Sequence, residues 1–369
     1  MPSASQPFTL ALFTLLLTAC QPSPDPPPTQ AEAPAPEPAE VIAMEVHDPA
    51  FHSLVPEDLK LEVLGEGYSW SEGPVWVADG DYLLFSDVPQ NVIYRWHETD
   101  GVQPWIRPSG YTGSTPREGE PGSNGLVIDA EGRLLLCQHG DRRVARLAQP
   151  LAELTVDTAP GDNADNFETV ADRFDGKRFN SPNDLVLHPS GDLYFTDPPY
   201  GLVGGADSPD RELDHYGVYR IATDGSVTLL HDQLSRPNGI ALSPDGTTLY
   251  VANSDPQAAL WMAWTLGEDG TLSDGRVLHD ATSQVSDERP GLPDGMKIDA
   301  DGNLFATGPG GIWVFSADGK HLGTLRLPDP TANCAFGEDG RSLFVTSNHR
   351  LLRVRLNSRG LGFDEPPAS

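Results

Sequence analysis

The sequence predicts an all-β chain folded as a six-bladed β-propeller, on three observations. A hairpin-shaped motif recurs six times, and its copies are spaced at 52, 59, 55, 56 and 39 residues. The composition, with 37 Gly, 35 Pro and repeated Asp-Gly turns, suits many short strands. No long segment carries a 3.6-residue apolar period, so helix is expected to be minor. Repeats of this size in all-β units read as one propeller blade each.

The motif is clearest from Arg236 to Ser254, RPNGIALSPDGTTLYVANS. A polar residue precedes Gly (Asn238-Gly239), an apolar run follows, Asp245-Gly246 makes the turn, and a second apolar run returns. That pattern is a β-hairpin in sequence form. The other copies begin at Ser71 (SEGPVWVADGDYLLFSD), Gly122 (GSNGLVIDAEGRLLLCQHG), Ser181 (SPNDLVLHPSGDLYFTD), Leu292 (LPDGMKIDADGNLFATG) and Thr331 (TANCAFGEDGRSLFVTS).

Their opening polar residues are Glu72, Asn124, Asn183, Asn238, Asp294 and Asn333. If each hairpin is the inner pair of a blade, the inner strands run the same way along the channel and these six side chains converge at one end. A single Asn or Asp before Gly reads as a turn residue. Six in one register, with Glu72 where a turn former would serve better, read as a site. Asp87, His139, Asp197, Asn253 and Thr307, which end the returning strands, are expected beside it. His139 is the one imidazole in that set, with a loop hydrogen bond and a substrate or proton-transfer role equally weighted. Asp197 is expected to brace its turn, and Tyr200 with the loop 201–216 to form part of a lid.

From the N-terminus, residues 8–19 (FTLALFTLLLTA) are apolar but too short to span a bilayer, and Leu17-Thr18-Ala19-Cys20 matches a lipobox. The reading is a lipoprotein signal over 1–19, with Cys20 acylated. No Lys or Arg precedes the apolar run. Residues 20–50 are expected to form a tether, whose twenty residues QPSPDPPPTQAEAPAPEPAE, rich in Pro, Ala and Glu, would at about 3.1 Å per residue hold the domain roughly 60 Å from its anchor. Gln21, rather than Asp, after the cysteine resembles the outer-membrane-directed form, so the anchor is expected at the outer membrane, periplasmic side. Residues 51–369 are assigned to the propeller. Leu59–Leu64 and Leu351–Leu356 are expected to pair in one blade and close the ring.

The net charge of −30, from 54 acidic and 24 basic residues, argues against nucleic acid or an anionic membrane surface as partner. The membrane is expected to be met only through the lipid anchor, and the domain to be a monomer. Cys137 and Cys334 fall in strands of different repeats and are expected to be buried free thiols.

Several of these lines carry family character. SEGPVW, GSNGLVIDAEGRLLLCQHGDRRVAR, FNSPNDLVLHPSGDLYFTDPPYGL and LPDGMKIDADGNL, in that order, resemble the gluconolactonase branch of the senescence-marker-protein (regucalcin-like) family from about Leu61 onward. The resemblance implies a six-bladed propeller that hydrolyses a sugar lactone with one divalent cation in its channel. It implies Glu72, Asn238 and Asp294 as metal ligands, and Asn183 as a fourth ligand or a substrate contact. Asp294 is the implied catalytic acid/base; Asn124 and Asn333 fall at positions less uniformly functional in the family, Asn333 being read as structural, while Asn124 and, from its place beside the site, His139 are taken as substrate contacts. Regucalcin-type relatives carry an Arg two residues before the position of Asn183; here that residue is Ser181.

The chemistry also follows from the residues themselves. Two carboxylates and neutral amide oxygens make a hard-oxygen cage suited to Ca²⁺, with Mg²⁺ and Mn²⁺ next and Zn²⁺ a further candidate. Such a cation would polarise a lactone carbonyl, and Asp294 would handle the proton of the attacking water or leaving alkoxide. A carboxylate on a cation is a weak base, so metal electrostatics must supply much of the rate. No GxSxG elbow supports a serine hydrolase, and GPGG at 308–311 opens no helix, so it cradles no phosphate. Trp70, Trp76 and Trp96 are expected in the core. The expected function is therefore a metal-dependent sugar-lactone hydrolase. Two alternatives stand: another lactone, an ester or an organophosphate as substrate, or a noncatalytic ligand-binding propeller.

Overall fold

Each of the six repeats becomes the two innermost strands of an antiparallel sheet. The computed structural model describes residues 40–154 and 166–363, all within one unit, Pro36–Ser369. From the inside out, the first blade is Ser71–Val77, Tyr82–Asp87, Val92–His97 and Gly101–Ile106. The inner strands of the remaining five are Ser123–Ile128, Leu185–Leu187, Pro237–Leu242, Met296–Ile298 and Asn333–Gly337. These strands pack neighbour to neighbour, and the sixth lies against the first, which closes a ring. The fold is the expected six-bladed propeller.

The ring closes as its two ends predict. In the sixth blade, Arg350–Arg355 is flanked by Lys60–Glu66 from the start of the body, with Val354 opposite Leu61 and Leu352 opposite Val63. Arg353 fastens the joint, its Nε and Nη2 donating to Oε2 of Glu62 at 3.0 and 2.6 Å. The folded part reaches further back than residue 51. Met44–Val46 adds a fifth strand to the fifth blade, and Glu40–Val41 adds one to the sixth. Open outer edges with unpaired N–H and C=O groups accept such strands readily. Cys20 and the tether up to residue 39 lie outside the described residues.

Among those residues the single α-helix is Phe51–Leu54. The apolar content sits between blades. Leu84, Ile93 and Leu126 join Leu134 and Leu136 between the first two, and Trp261 packs on Trp313 and Phe315 between the fourth and fifth. Trp261 is fully buried, and cutting such a residue to Ala typically costs about 3–5 kcal/mol. Cys137 and Cys334 are buried and unpaired, and burial pushes the Cys334 thiol up to about 12, which leaves it inert.

Candidate functional site

Two devices aim the opening residues into the channel. In the first, second and fourth blades the register between the two inner strands shifts at the opening residue, between Glu72 and Val75, Ser123 and Leu126, and Pro237 and Ile240. A bulge of this kind turns a side chain out of the pleat. The residue after each also lets the blades crowd together: a Cβ on Gly73 would stand 1.9 Å from the carbonyl oxygen of Asn124, and one on Gly239 2.0 Å from that of Asp294. Hydroxyls then cross from blade to blade, Ser86 Oγ donating to Asn124 O at 2.9 Å and Thr196 Oγ1 to Asn238 O at 2.7 Å.

Glu72, Asn124, Asn183, Asn238 and Asp294 consequently share one cleft of about 690 Å³ at the end of the channel. Glu72 accepts from Gly73 N at 3.1 Å and from Trp70 Nε1 at 3.4 Å. The amide nitrogens of the two asparagines are tied back, Asn238 Nδ2 to Ser254 Oγ at 3.0 Å and Asn183 Nδ2 towards His139 Nε2 at 3.4 Å. Their oxygens are thereby left free, and Asn183 Oδ1 and Asp294 Oδ1 are buried with no hydrogen-bond partner. Burial, and then the negative charges of Asp184 and Glu120, hold the Glu72 carboxyl well above its usual range. Burial and then Glu72 do the same to Asp294. Two buried carboxylates, both held above their usual range, beside orphaned carbonyl-type oxygens, form a cage that a divalent cation fits. Among the described residues no three His, Cys, Asp or Glu side chains cluster at metal-binding spacing, in keeping with a set that counts only two carboxylates.

The residues ending the second strands brace this rim. Asp87 accepts from Ser69 N and Trp70 N, Asp197 from Asn180 N and Ser181 N, and Asn253 Oδ1 from Arg236 N. In three blades, then, the same position caps the loop that enters the inner strand. Burial pushes the Asp197 carboxyl up to about 7 against those hydrogen bonds. Thr307 Oγ1 donates to the carbonyls of Gly295 and Ala332. His139 is fully buried and stands behind Asn183, with its Nδ1 3.4 Å from Oε2 of Glu120. The structure thus places His139 behind the cleft wall, where it acts on the cleft through Asn183 and Glu120. Asn333 turns away from the cleft: its Oδ1 takes the N–H of Cys334 at 2.9 Å and faces Lys297 Nζ at 3.4 Å.

Other cleft residues come from loops that the repeat does not mark. Trp70, expected in the core, forms part of the wall, as do Glu120, Tyr200, Arg236 and the segment Val285–Leu292. Arg289 in that segment is fixed by a bidentate pair with Glu45 at 2.8 and 2.9 Å. Tyr200 reaches Ser254 and lies in the field of Asp294, and burial keeps its phenol far above the ordinary range, so it stays protonated. Only the start of the expected lid serves this cleft; Pro209, Asp210 and Glu212 border a neighbouring one. Asp184, directly after Asn183, is a third buried carboxylate beneath the pair, raised by burial and eased by Lys297.

The family model described as the SMP-30/Gluconolactonase/LRE-like region matches residues 70–349. A gluconolactonase of Zymomonas mobilis is 39% identical over 317 residues, which are 85% of this chain and 85% of that one. A pentonolactonase of Haloferax volcanii is 28% identical, with 75% of this chain and 80% of the relative covered. Among solved structures, a gluconolactonase from Xanthomonas campestris superposes with a TM-score of 0.70 at 30% identity over 88% of this chain and 99% of that one. A putative gluconolactonase superposes with a TM-score of 0.72 at 31% identity, covering 86% of this chain and 99% of the other.

Proposed function

The chain belongs to the SMP-30/gluconolactonase/LRE-like family, and from that premise we propose that it hydrolyses a sugar lactone to the open hydroxy acid with one divalent cation bound in the channel. The observation that carries the reading is the pair of buried, unpartnered oxygens, Asn183 Oδ1 and Asp294 Oδ1, beside a Glu72 carboxyl that burial and neighbouring charge disfavour as a lone anion. Glu72, Asn183, Asn238 and Asp294 would hold the ion, with Ca²⁺ the first choice for an all-oxygen set. When bound, the ion supplies charge for the carbonyl oxygen of the lactone.

The chain's own groups do the rest. Asp294 is the carboxylate placed to take the proton of an attacking water and to return one to the ring oxygen as the lactone opens. Tyr200, protonated and in the field of Asp294, offers a hydrogen bond to substrate oxygen on that side. Asn124 lines the cleft opposite and is assigned a hydroxyl of the sugar. Trp70, Val285 and Leu292 give the outer wall an apolar surface, which supports a second reading, a lactone or ester carrying an apolar group. A pH-stat assay decides between them, run on aldonolactones, aliphatic lactones and a phosphotriester with Ca²⁺, Mg²⁺, Mn²⁺ or a chelator. Turnover confined to sugar lactones and lost with chelator supports the reading; tight metal binding with no turnover of any substrate overturns it.

Lipid anchoring at Cys20 and an outer-membrane, periplasm-facing location belong to the same reading and rest on the LTAC pattern and the Pro-rich stretch after it. Radiolabelled palmitate retained by the wild type and absent from Cys20→Ala would support it, and equal labelling would refute it.

A further inference from the structure

Beside the channel cleft lies a second one, of about 710 Å³, with Arg117, Arg142, Arg143 and Arg178 in its lining. Three of these arginines spend their hydrogen bonds on neutral carbonyls. Arg117 donates to Gly140 O and Gly201 O, and Arg178 to Asp141 O. Arg142 donates to Phe179 O at 2.7 Å, Asn180 O at 3.1 Å and Asp210 O at 2.9 Å. Each of the three still carries a buried N–H without a partner: Nε of Arg117, Nη2 of Arg142 and Nε of Arg178. Arg142 is only 6% exposed.

The acids nearby ease the charge of Arg117 and Arg142 through space, Asp210 and Asp141 for the first and Glu212, Asp197 and Asp210 for the second, but among the described residues none forms an ion pair with Arg117, Arg142 or Arg178. Asp141 is engaged by Thr112 at 2.6 and 3.1 Å and by Arg143 at 3.1 Å, and Asp172 faces Arg173 at 3.5 Å. Glu212 takes the backbone N–H of Arg178 at 2.8 Å, and both it and Asp210 stand exposed at the rim. Burial first, and the charge of Arg178 among the other causes, hold Arg117 and Arg142 below the usual arginine range. In a chain of net charge −30, three partly desolvated guanidinium groups with spare donors are an anion site in search of its anion.

We propose that this cleft binds an oxyanion, a phosphate or carboxylate group, held between Arg117, Arg142 and Arg178. Guanidinium forks match the paired oxygens of either group. The carbonyls that these arginines already grip belong to the loops carrying His139, Asn183 and Tyr200, and Arg117 itself is three residues from Glu120. An anion seated there draws together the loops that wall the channel cleft.

The test is calorimetric titration of the metal-loaded protein with inorganic phosphate and, separately, with an aldonate, each against sodium chloride at equal ionic strength. Saturable binding of phosphate alone names a phosphate or phosphoryl ligand, and of the aldonate alone a carboxylate such as the reaction product. Arg142 ties several loops, so the half-buried Arg117→Gln and Arg178→Gln carry the mutational arm. Each is expected to weaken binding at least about tenfold, the cost of one charge-assisted hydrogen bond. Arg276→Gln, exposed on the outer strand of the fourth blade, is expected to leave it unchanged. No saturable heat above the chloride control, or wild-type affinity in both arginine variants, overturns the proposal.

Discussion

Nδ2 of Asn183 stands 3.4 Å from Nε2 of His139, and the other ring nitrogen of His139 stands 3.4 Å from Glu120 Oε2. The side-chain amide of Asn183 is thus turned towards the imidazole, which leaves Oδ1 free. Groups that orient a ligating side chain typically account for about 10–100-fold in metal affinity or activity. His139→Leu is expected to weaken Ca²⁺ binding by about that factor, while His139→Gln retains most of it. Calorimetric metal titration of both variants checks this, and equal affinities for Leu and Gln would remove the orienting role.

Burial raises the carboxyls of Glu72 and Asp294, and Glu72 raises Asp294 further, so a cation that binds the folded state should stabilise it by mass action. At a hundredfold excess over Kd the gain is about 2.7 kcal/mol, read as a rise in Tm that chelator reverses. Asp294→Asn keeps a ligand oxygen but cannot take a proton, and kcat is expected to drop at least about 100-fold with much of the metal-induced Tm rise retained. Activity close to wild type in that variant would assign the proton step elsewhere.

Tyr200 contributes a hydroxyl next to Ser254, in the field of Asp294. Tyr200→Phe removes that donor and little volume. Turnover is expected to fall by about tenfold with Ca²⁺ affinity unaltered, the size of one hydrogen bond made to the reacting group. A change in KM alone would make Tyr200 a binding contact instead.

On the outer edge of the fifth blade, His321 stacks on Trp313 at 4.3 Å and lies within 5.4 Å of His47 and His279. Burial, and then His47 and His279, bring His321 down to about 4, with Glu45 opposing them. An unfolded His takes its proton near 6.5, so between about 6.5 and 4 the unfolded chain binds more protons and stability falls as the pH drops. Melting curves across that window should show the loss, and His321→Phe should flatten it. An unchanged slope in the variant would place the pH dependence elsewhere.

Ring closure gives a truncation test. Removing residues 1–38 leaves every described strand in place and should leave the melting curve as it is, whereas removing 1–66 strips the outer strand that pairs with Arg350–Arg355 and should abolish cooperative unfolding. A cooperative melt in the shorter chain would show that the ring folds without its closing strand.

The channel residues were legible because they sit at a fixed place in a repeat: Glu72, Asn124, Asn183, Asn238 and Asp294 could be aligned by eye, and the bulges that aim them follow from the polar-Gly step. The closing strands were legible as apolar runs at the two ends of the body. Glu120, Arg236 and Arg289 were not, since loop residues obey no period and reach the cleft through tertiary contacts such as the Arg289–Glu45 pair. Trp70 looked like core because a Trp before a strand has no sequence mark for the side it faces. Asp184 did leave a signal, a carboxylate where four other repeats have Gly.

The joint between Arg353 and Glu62 spans 291 residues of chain. Synthesis at about 5–20 residues per second leaves the Glu62 strand waiting roughly 15–60 s for its neighbour. Throughout that interval an edge of alternating Leu and Val is open to any passing strand, including that of a second nascent copy. The completeness of the closed ring therefore depends on how long that first strand stays unpaired.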